Sequence, residues 1–286
     1  MRLATIRTAT GTHAAMDFGT HWRLLPFPDL AAALRAVEGD LGAFGELRAA
    51  EAVEAADARF APTVTTPGAI ICLGLNYAKH MDEMGHDERP AFPTLFAKFP
   101  RSLTGPFDQI TLPVTSHEVD WEVEIGVVIG RRARHVDVAH ALEHVAGYVV
   151  VNDVSMRDYQ HRTSQFLQGK IFEASTPVGP WMVTRDEVDD VRDVALTTRV
   201  NGTTMQDGRS RDMLFDVPTT IAYLSEIMTL EPGDLIAMGT PDGVGAGRRP
   251  PVFLRPGDVV ESSVEGIGTM RNEFVAPDAG HTEHHS

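Results

Sequence analysis

The segment Asp120-Trp-Glu122-Val-Glu124-Ile-Gly-Val-Val-Ile129 constrains what this chain can fold into more than any other stretch. Side chains alternate across a strand, so Glu122 and Glu124 share one face while Val123, Ile125 and Val127 take the other. On an exposed edge strand such a pair is only a solvated face. Here the strand runs on into Gly126-Val-Val-Ile-Gly130, an apolar sequence of the kind buried on both sides of a sheet. Like charges in that setting cost on the order of several kcal/mol per ion unless compensated, and a cation is the economical compensation. Asp153 is the natural third anion, because the apolar strand Gly147-Tyr-Val-Val-Val151 runs out into Asn152-Asp153. Three carboxylates suit a hard ion. Mg²⁺ keeps waters in its remaining octahedral positions, where a substrate can chelate, and Mn²⁺ can substitute. Zinc fits poorly, since the lone Cys72 and the scattered histidines show no zinc-ligand spacing.

Around this strand the chain reads as α+β and rich in β-structure. Short apolar runs bounded by turns recur at 69–75, 121–129, 147–151, 178–183, 196–200, 235–238 and 259–264, two of them entered through Pro-Gly-Asp reversals. Residues 2–25 suggest short strands broken at Gly11 and Gly19. Asp29 then caps an Ala- and Leu-rich helix, and residues 46–58 form a second run of strong helix formers. Further helices are expected at 138–145 and from Asp216, with Pro218 in its first turn, to Thr229. The Pro- and Thr-rich connector from Ala61 to Gly68 divides a small N-terminal domain, 1–65, from a catalytic domain, 66–275. Residues 276–286 read as a polar, frayed tail.

Lys and Arg number 25 against 40 Asp and Glu, a formal charge of −15 that repels nucleic acid and anionic membranes at long range. An anionic substrate then needs a metal or local cations to reverse the field. Cys72, the single cysteine, sits in an apolar run as a buried thiol. No stretch approaches the ~20 apolar residues of a membrane span, nor is there a signal-peptide core, so the expectation is a cytoplasmic protein.

Asn76 to Gly85 reads as a short helix, capped by Asn76 and ended by Gly85, with His80 and Glu83 three residues apart on one face. A carboxylate beside an imidazole orients it and raises its basicity, the pairing that activates water. On this segment alone, an incidental surface pair explains the spacing equally well. The polar stretch after it, Gly85 to Pro90, has the character of a lid.

Taken in order, Gly74-Leu-Asn-Tyr-Ala-Lys-His80, Pro93-Thr-Leu-Phe-Ala-Lys98, Glu122-Val-Glu124, Asn152-Asp153-Val-Ser-Met-Arg157-Asp158, Gln168-Gly-Lys170 and Gly239-Thr-Pro-Asp-Gly-Val-Gly245 resemble the fumarylacetoacetate hydrolase family, in particular its acylpyruvate hydrolase-like branch. The resemblance covers roughly residues 69–274. It implies a mixed β-roll or distorted barrel, a homodimer, and Mg²⁺ or Mn²⁺ on Glu122, Glu124 and Asp153. It further implies His80 and Glu83 as a lid dyad, Lys170 as an active-site lysine, and substrate contacts from Thr240, Gly239, Lys98, Arg157 and Gln168. The apolar neighbours of Lys170 demand an anion for its ammonium, and the glycines around Thr240 let a hydroxyl and amides approach a carboxylate. For Arg157 and Asp158, pairing with each other or buttressing the ligand loop weighs equally with substrate contact.

The reaction expected from this resemblance is hydrolysis of a carbon–carbon bond in a 2,4-diketo acid, releasing pyruvate, with His80 and Glu83 activating water. The rivals are decarboxylation of oxaloacetate or isomerisation of a hydroxymuconate-type acid at the same site, and a non-catalytic binding protein that keeps the core. The far end of the substrate is expected to meet the lid from Met84 to Phe92, the N-terminal domain, and a loop from Thr203 to Asp212 carrying Arg209 and Arg211.

Overall fold

The computed structural model describes residues 1–47, 51–85 and 88–277. Positions 48–50, His86 and Asp87 of the expected lid, and 278–286 of the expected tail lie outside them. Eleven strands form one mixed sheet. From one edge its main path runs Ala52–Glu54, His21–Leu24, Gly11–Asp17, Arg2–Thr8, Thr176–Thr184, Val145–Asn152, Val123–Ile129, Leu235–Ala237, Ile70–Gly74 and Thr94–Ala97. A second, five-stranded sheet holds Thr203–Arg209, Ala195–Val200, Val259–Val264, Gly268–Val275 and Ile110–Thr111. The fold is α+β and β-rich with few helices, and its sheets do not close into a barrel among the described residues. No helix of the described residues is long and apolar enough to cross a membrane.

The carboxylate strand lies where its sequence requires. Every residue of Val123–Ile129 is buried. Val123, Ile125, Val127 and Ile129 pack with Leu196, Val264 and Met270 of the five-stranded sheet and with Ile221 and Leu224 of the Val217–Ile227 helix. Val128 packs on the opposite face with Val149, Leu235 and the N-terminal Leu30 and Leu34. The described part of the first 65 residues thus extends one edge of the large sheet through the pairing of Leu3 with Met182, and shares its core.

Asp29 caps Leu30–Val37 by accepting from Ala32 N–H at 2.7 Å, and Asp216 caps Val217–Ile227 through Thr219 N–H at 3.0 Å. All seven apolar runs contain a strand. Three expectations need correction. Within 46–58 the described residues form the edge strand Ala52–Glu54 and a 3-10 turn, Ala55–Asp57, because pairing with His21–Leu24 lets Val53 pack by Trp22. Helix propensity is a weak preference that such pairing overrides. The 138–145 helix shrinks to one 3-10 turn, Ala141–His144, since Val145 is already drawn into the large sheet. The segment from Thr203 is a strand to Arg209, hairpinned with Ala195–Val200 through Asn201 and Gly202 at φ 51° and 80°. Asn-Gly between β-forming runs is a strong hairpin signal.

Candidate active site

Glu122, Glu124 and Asp153 converge because their strands are neighbours: Val123 pairs with Asn152, and Asp153 N–H donates to Glu122 O at 2.8 Å. One oxygen from each lies within 4.8 Å of the others, and all three residues are buried. Three buried cations surround them. Lys170 Nζ donates to Glu122 Oε2 at 2.5 Å and to Asp153 Oδ2 at 2.8 Å. Arg157 Nη1 pairs with Glu122 Oε1 at 2.7 Å, while its Nε and Nη2 each stand 2.8 Å from Asp120 Oδ2. Lys98 Nζ lies 2.6 Å from Asp153 Oδ1 and donates to Lys170 O.

Burial raises the proton affinity of Glu122, but Arg157 and Lys170 more than reverse it and hold the carboxyl far below its usual range. Burial likewise opposes the charges of Lys170 and Arg157, and the neighbouring carboxylates win, so both are held firmly as cations. Glu124 differs. Among the described residues its carboxylate accepts one hydrogen bond, from Gly239 N–H at 2.7 Å, and no cation forms an ion pair with it. Burial, then Asp153, then Glu122 push its pKa well above the ordinary 4.5.

These residues fit a divalent ion. Asp120, Glu122, Glu124 and Asp153 outnumber Lys98, Arg157 and Lys170 by one charge, all of them buried. Asp153 Oδ1 meets the Lys98 ammonium and no other group among the described residues, which leaves it a lone pair beside Glu124. A divalent cation there would convert an excess of one negative charge into one positive, the sign that receives a carboxylate.

The Ala78–Glu83 helix brings the dyad to the same place. His80 is buried and its Nδ1 stands 3.2 Å from Glu83 Oε2. Glu83 also accepts from Gly243 N–H, at 3.0 Å to Oε1 and 3.2 Å to Oε2. Asn76 does not cap this helix; Tyr77 occupies the cap position without a side-chain bond. Instead the Asn76 amide donates to Phe215 O and Met238 O, and its oxygen accepts from Phe215 N–H, stitching the helix entrance to the core. Gly85, at φ 77°, ends the helix as expected.

A cavity of about 310 Å³ opens over the cluster. Glu122, Glu124, Arg157 and Lys170 line its polar side with His80 and Thr240. Leu73, Leu75, Met84, Phe96 and Phe166 form an apolar wall, with Gln160 and His161 beside it. Phe96 meets Phe166 edge-on at 6.1 Å and lies 5.1 Å beneath Lys170 Nζ. The sequence reading missed this wall and Asp120. The apolar residues carry no chemical signature, whereas the aspartate two positions before Glu122 was a visible signal.

Other candidates fall differently. Thr240 reaches the cavity, but its hydroxyl donates to Val123 O at 2.9 Å and accepts from Gln206 Nε2 at 2.7 Å. The loop amides serve the chain's own carboxylates: Gly239 N–H to Glu124, Gly243 N–H to Glu83, and Gly245 and Ala246 N–H to Asp120 at 2.6 and 2.9 Å. Lys98 supports Asp153 from outside the lining, and Gln168 is exposed away from it. Arg157 and Asp158 do not pair, for Asp158 accepts from Ser116 Oγ at 2.6 Å. Arg209 and Arg211 both pair with Asp193, and neither they nor the described N-terminal residues line this cavity.

Residues 69–275 match the family model described as fumarylacetoacetate (FAA) hydrolase, C-terminal. The chain is 44% identical over 218 residues to the Homo sapiens protein named oxaloacetate tautomerase, mitochondrial, covering 76% of this chain and 69% of the relative. The solved fumarylacetoacetate hydrolase of Exiguobacterium antarcticum superposes with a TM-score of 0.85 at 36% identity, over 97% of this chain and 100% of that one. A 5-carboxymethyl-2-hydroxymuconate delta-isomerase from Mycobacterium smegmatis does so with a TM-score of 0.79 at 32% identity and the same coverage.

Proposed function

Because the chain belongs to the fumarylacetoacetate hydrolase family, its model spanning residues 69–275, we propose that it is a divalent-metal-dependent enzyme that interconverts the keto and enol forms of a small 2-oxo acid, with oxaloacetate as the first candidate. The observation that carries this reading is that buried His80, paired with the half-buried Glu83, and the Glu122, Glu124 and Asp153 cluster serve one small cavity, whose lining includes His80, Glu122 and Glu124. The name of the Homo sapiens relative supports oxaloacetate as substrate.

Mg²⁺ or Mn²⁺ held by Glu122, Glu124 and Asp153 would supply a Lewis acid to the oxygens of the 2-oxo acid. Glu83 fixes the His80 ring, and His80 takes a proton from substrate C3. The released electron pair forms the C2–C3 double bond and the C2 oxygen receives the proton. Lys170 and Arg157 hold Glu122 and Asp153 in place and add positive field where negative charge develops. Leu73, Phe96 and Phe166 keep bulk water from that side of the cavity.

The same pair favours a second reading. An imidazole steered by a carboxylate also activates water, and attack at C4 of a 2,4-dioxo acid breaks the C3–C4 bond, giving pyruvate and the acid of the acyl group. Protein supplied with Mg²⁺, Mn²⁺ or chelator is to be tested on oxaloacetate, fumarylpyruvate and a panel of acylpyruvates. C3-proton exchange is followed by NMR and products by mass. Metal-dependent exchange without pyruvate release supports tautomerisation, and pyruvate from acylpyruvates supports hydrolysis. No acceleration of either with either metal would sink both. In the active assay, His80→Ala is expected to lose about 10²-fold or more, and full turnover in that variant would remove His80 from the mechanism.

A further inference from the structure

Gly247 lies beyond the last of the ordered motifs and outside the cavity lining, yet its missing side chain bears on the dyad. A Cβ built there would stand 2.3 Å from both Cγ and Cδ of Glu83 and 2.5 Å from its Oε1, and these are the three nearest atoms. Carbon atoms settle at about 3.5–4.0 Å, so a methyl group and this Glu83 position are incompatible. Backbone geometry does not explain the glycine. Gly239 and Gly243, at φ 84° and 99°, need their freedom in the left-handed region, whereas Gly247 is not among the positive-φ residues.

The turn that carries Gly247 is fixed from below. Asp120 accepts from Gly245 and Ala246 N–H at 2.6 and 2.9 Å, and Trp121 Nε1 donates to Gly243 O at 3.2 Å. Glu83 therefore meets a rigid seat on two sides, a donor at Gly243 and a vacant Cβ position at Gly247. From that seat it reaches His80 Nδ1 at 3.2 Å.

We propose that Gly247 is a positioning residue for the dyad: the space it leaves admits the Glu83 carboxylate, and so sets the orientation of His80 toward substrate. The inference rests on the reading that His80 and Glu83 take part in turnover. The atoms a methyl at position 247 meets first all belong to one flexible side chain, so the expected response is a shift of the dyad by about an ångström rather than of the fold, a misplacement that costs on the order of 10²-fold in rate.

The test is a double-mutant cycle of Gly247→Ala and Glu83→Ala on the metal-supplied protein, with the substrate that the wild type turns over. Expected is a fall in kcat of about 10²-fold for Gly247→Ala, with KM within about twofold of wild type. The double variant should be no slower than Glu83→Ala alone, because nothing remains for the methyl to displace. The Gly247→Ala melting temperature should match that of the wild type. Additive losses, a Gly247→Ala variant within twofold of wild type while Glu83→Ala is impaired, or a Gly247→Ala variant that unfolds early would each overturn the proposal. Wild-type turnover by Glu83→Ala would overturn the dyad reading and this proposal with it.

Discussion

Replacing Glu124 by Gln is expected to act in opposite directions on the stability of the metal-free protein and on the stabilisation that a metal adds. The residue is 1% exposed, has one hydrogen-bond donor at 2.7 Å, and faces two carboxylates. In the unfolded chain it is ionised at neutral pH, so folding without a metal takes up a proton or buries an unmatched charge. A folded-state pKa raised above 4.5 contributes stability that is complete below 4.5 and lost as pH rises toward the folded value. Gln keeps the shape, has no proton to lose, and offers an amide donor to Glu122 or Asp153. An ill-satisfied buried polar group costs about 1–3 kcal/mol, so the metal-free variant should be the more stable by that amount at pH 8. Near 2–4 °C per kcal/mol for chains of roughly this size, that is a rise of about 2–12 °C in Tm. The advantage should shrink toward pH 5. Metal works the other way. At about 100 times Kd a ligand adds about 2.7 kcal/mol to the wild type, and the variant, short of one anionic ligand, should keep less than half of that. Thermal melts of chelator-stripped protein, with and without Mg²⁺ or Mn²⁺, read both effects. A metal-free variant that melts below wild type at pH 8 refutes the unmatched-charge argument, and an undiminished metal shift refutes Glu124 as a ligand.

Asp29→Ala should cost about 2 kcal/mol or more, since its carboxylate accepts from Ala32 N–H, Thr65 Oγ1, Thr66 N–H and Thr66 Oγ1. Burial pushes the Asp29 pKa up, but these bonds, led by Thr66 and Thr65, hold it below 3.8. Its contribution is therefore complete above that value and lost as pH falls through the folded pKa. Urea unfolding should find the gap to wild type narrowing only in acid; a gap that widens there contradicts the assignment. Asp120→Ala takes from Arg157 one of its two buried carboxylate partners, leaving Glu122, and frees Gly245 and Ala246 N–H, so a loss of about 3–5 kcal/mol is expected. Denaturant midpoints measure it, and a loss under 1 kcal/mol would show that Asp120 is not the clamp described.

The carboxylate-bearing strands were legible because alternation and burial act within single segments. Glu122 and Glu124 had to share a face, and the apolar run around them had to be central. The helix caps Asp29 and Asp216 and the Gly85 stop were legible for the same local reason. The edge strand at Ala52–Glu54 was not, since its state depends on a partner thirty residues earlier in the chain, at His21–Leu24.

At the site, the sequence by itself singled out the groups that the fold brings together: three carboxylates whose clustering calls for a cation, a histidine three residues from a glutamate, and a lysine in apolar company. Only the tertiary structure decided how their charges are matched. Asp120 and Arg157 met across 37 positions, the glycine-loop amides turned to Glu83, Glu124 and Asp120, and Arg209 turned to Asp193. Hydrogen bonds and ion pairs of this kind have ranges of about 3 Å and partners that no sequence spacing specifies. Which carboxylate is left without an ion pair is therefore a property of the folded chain, and among the described residues of this cluster it is Glu124.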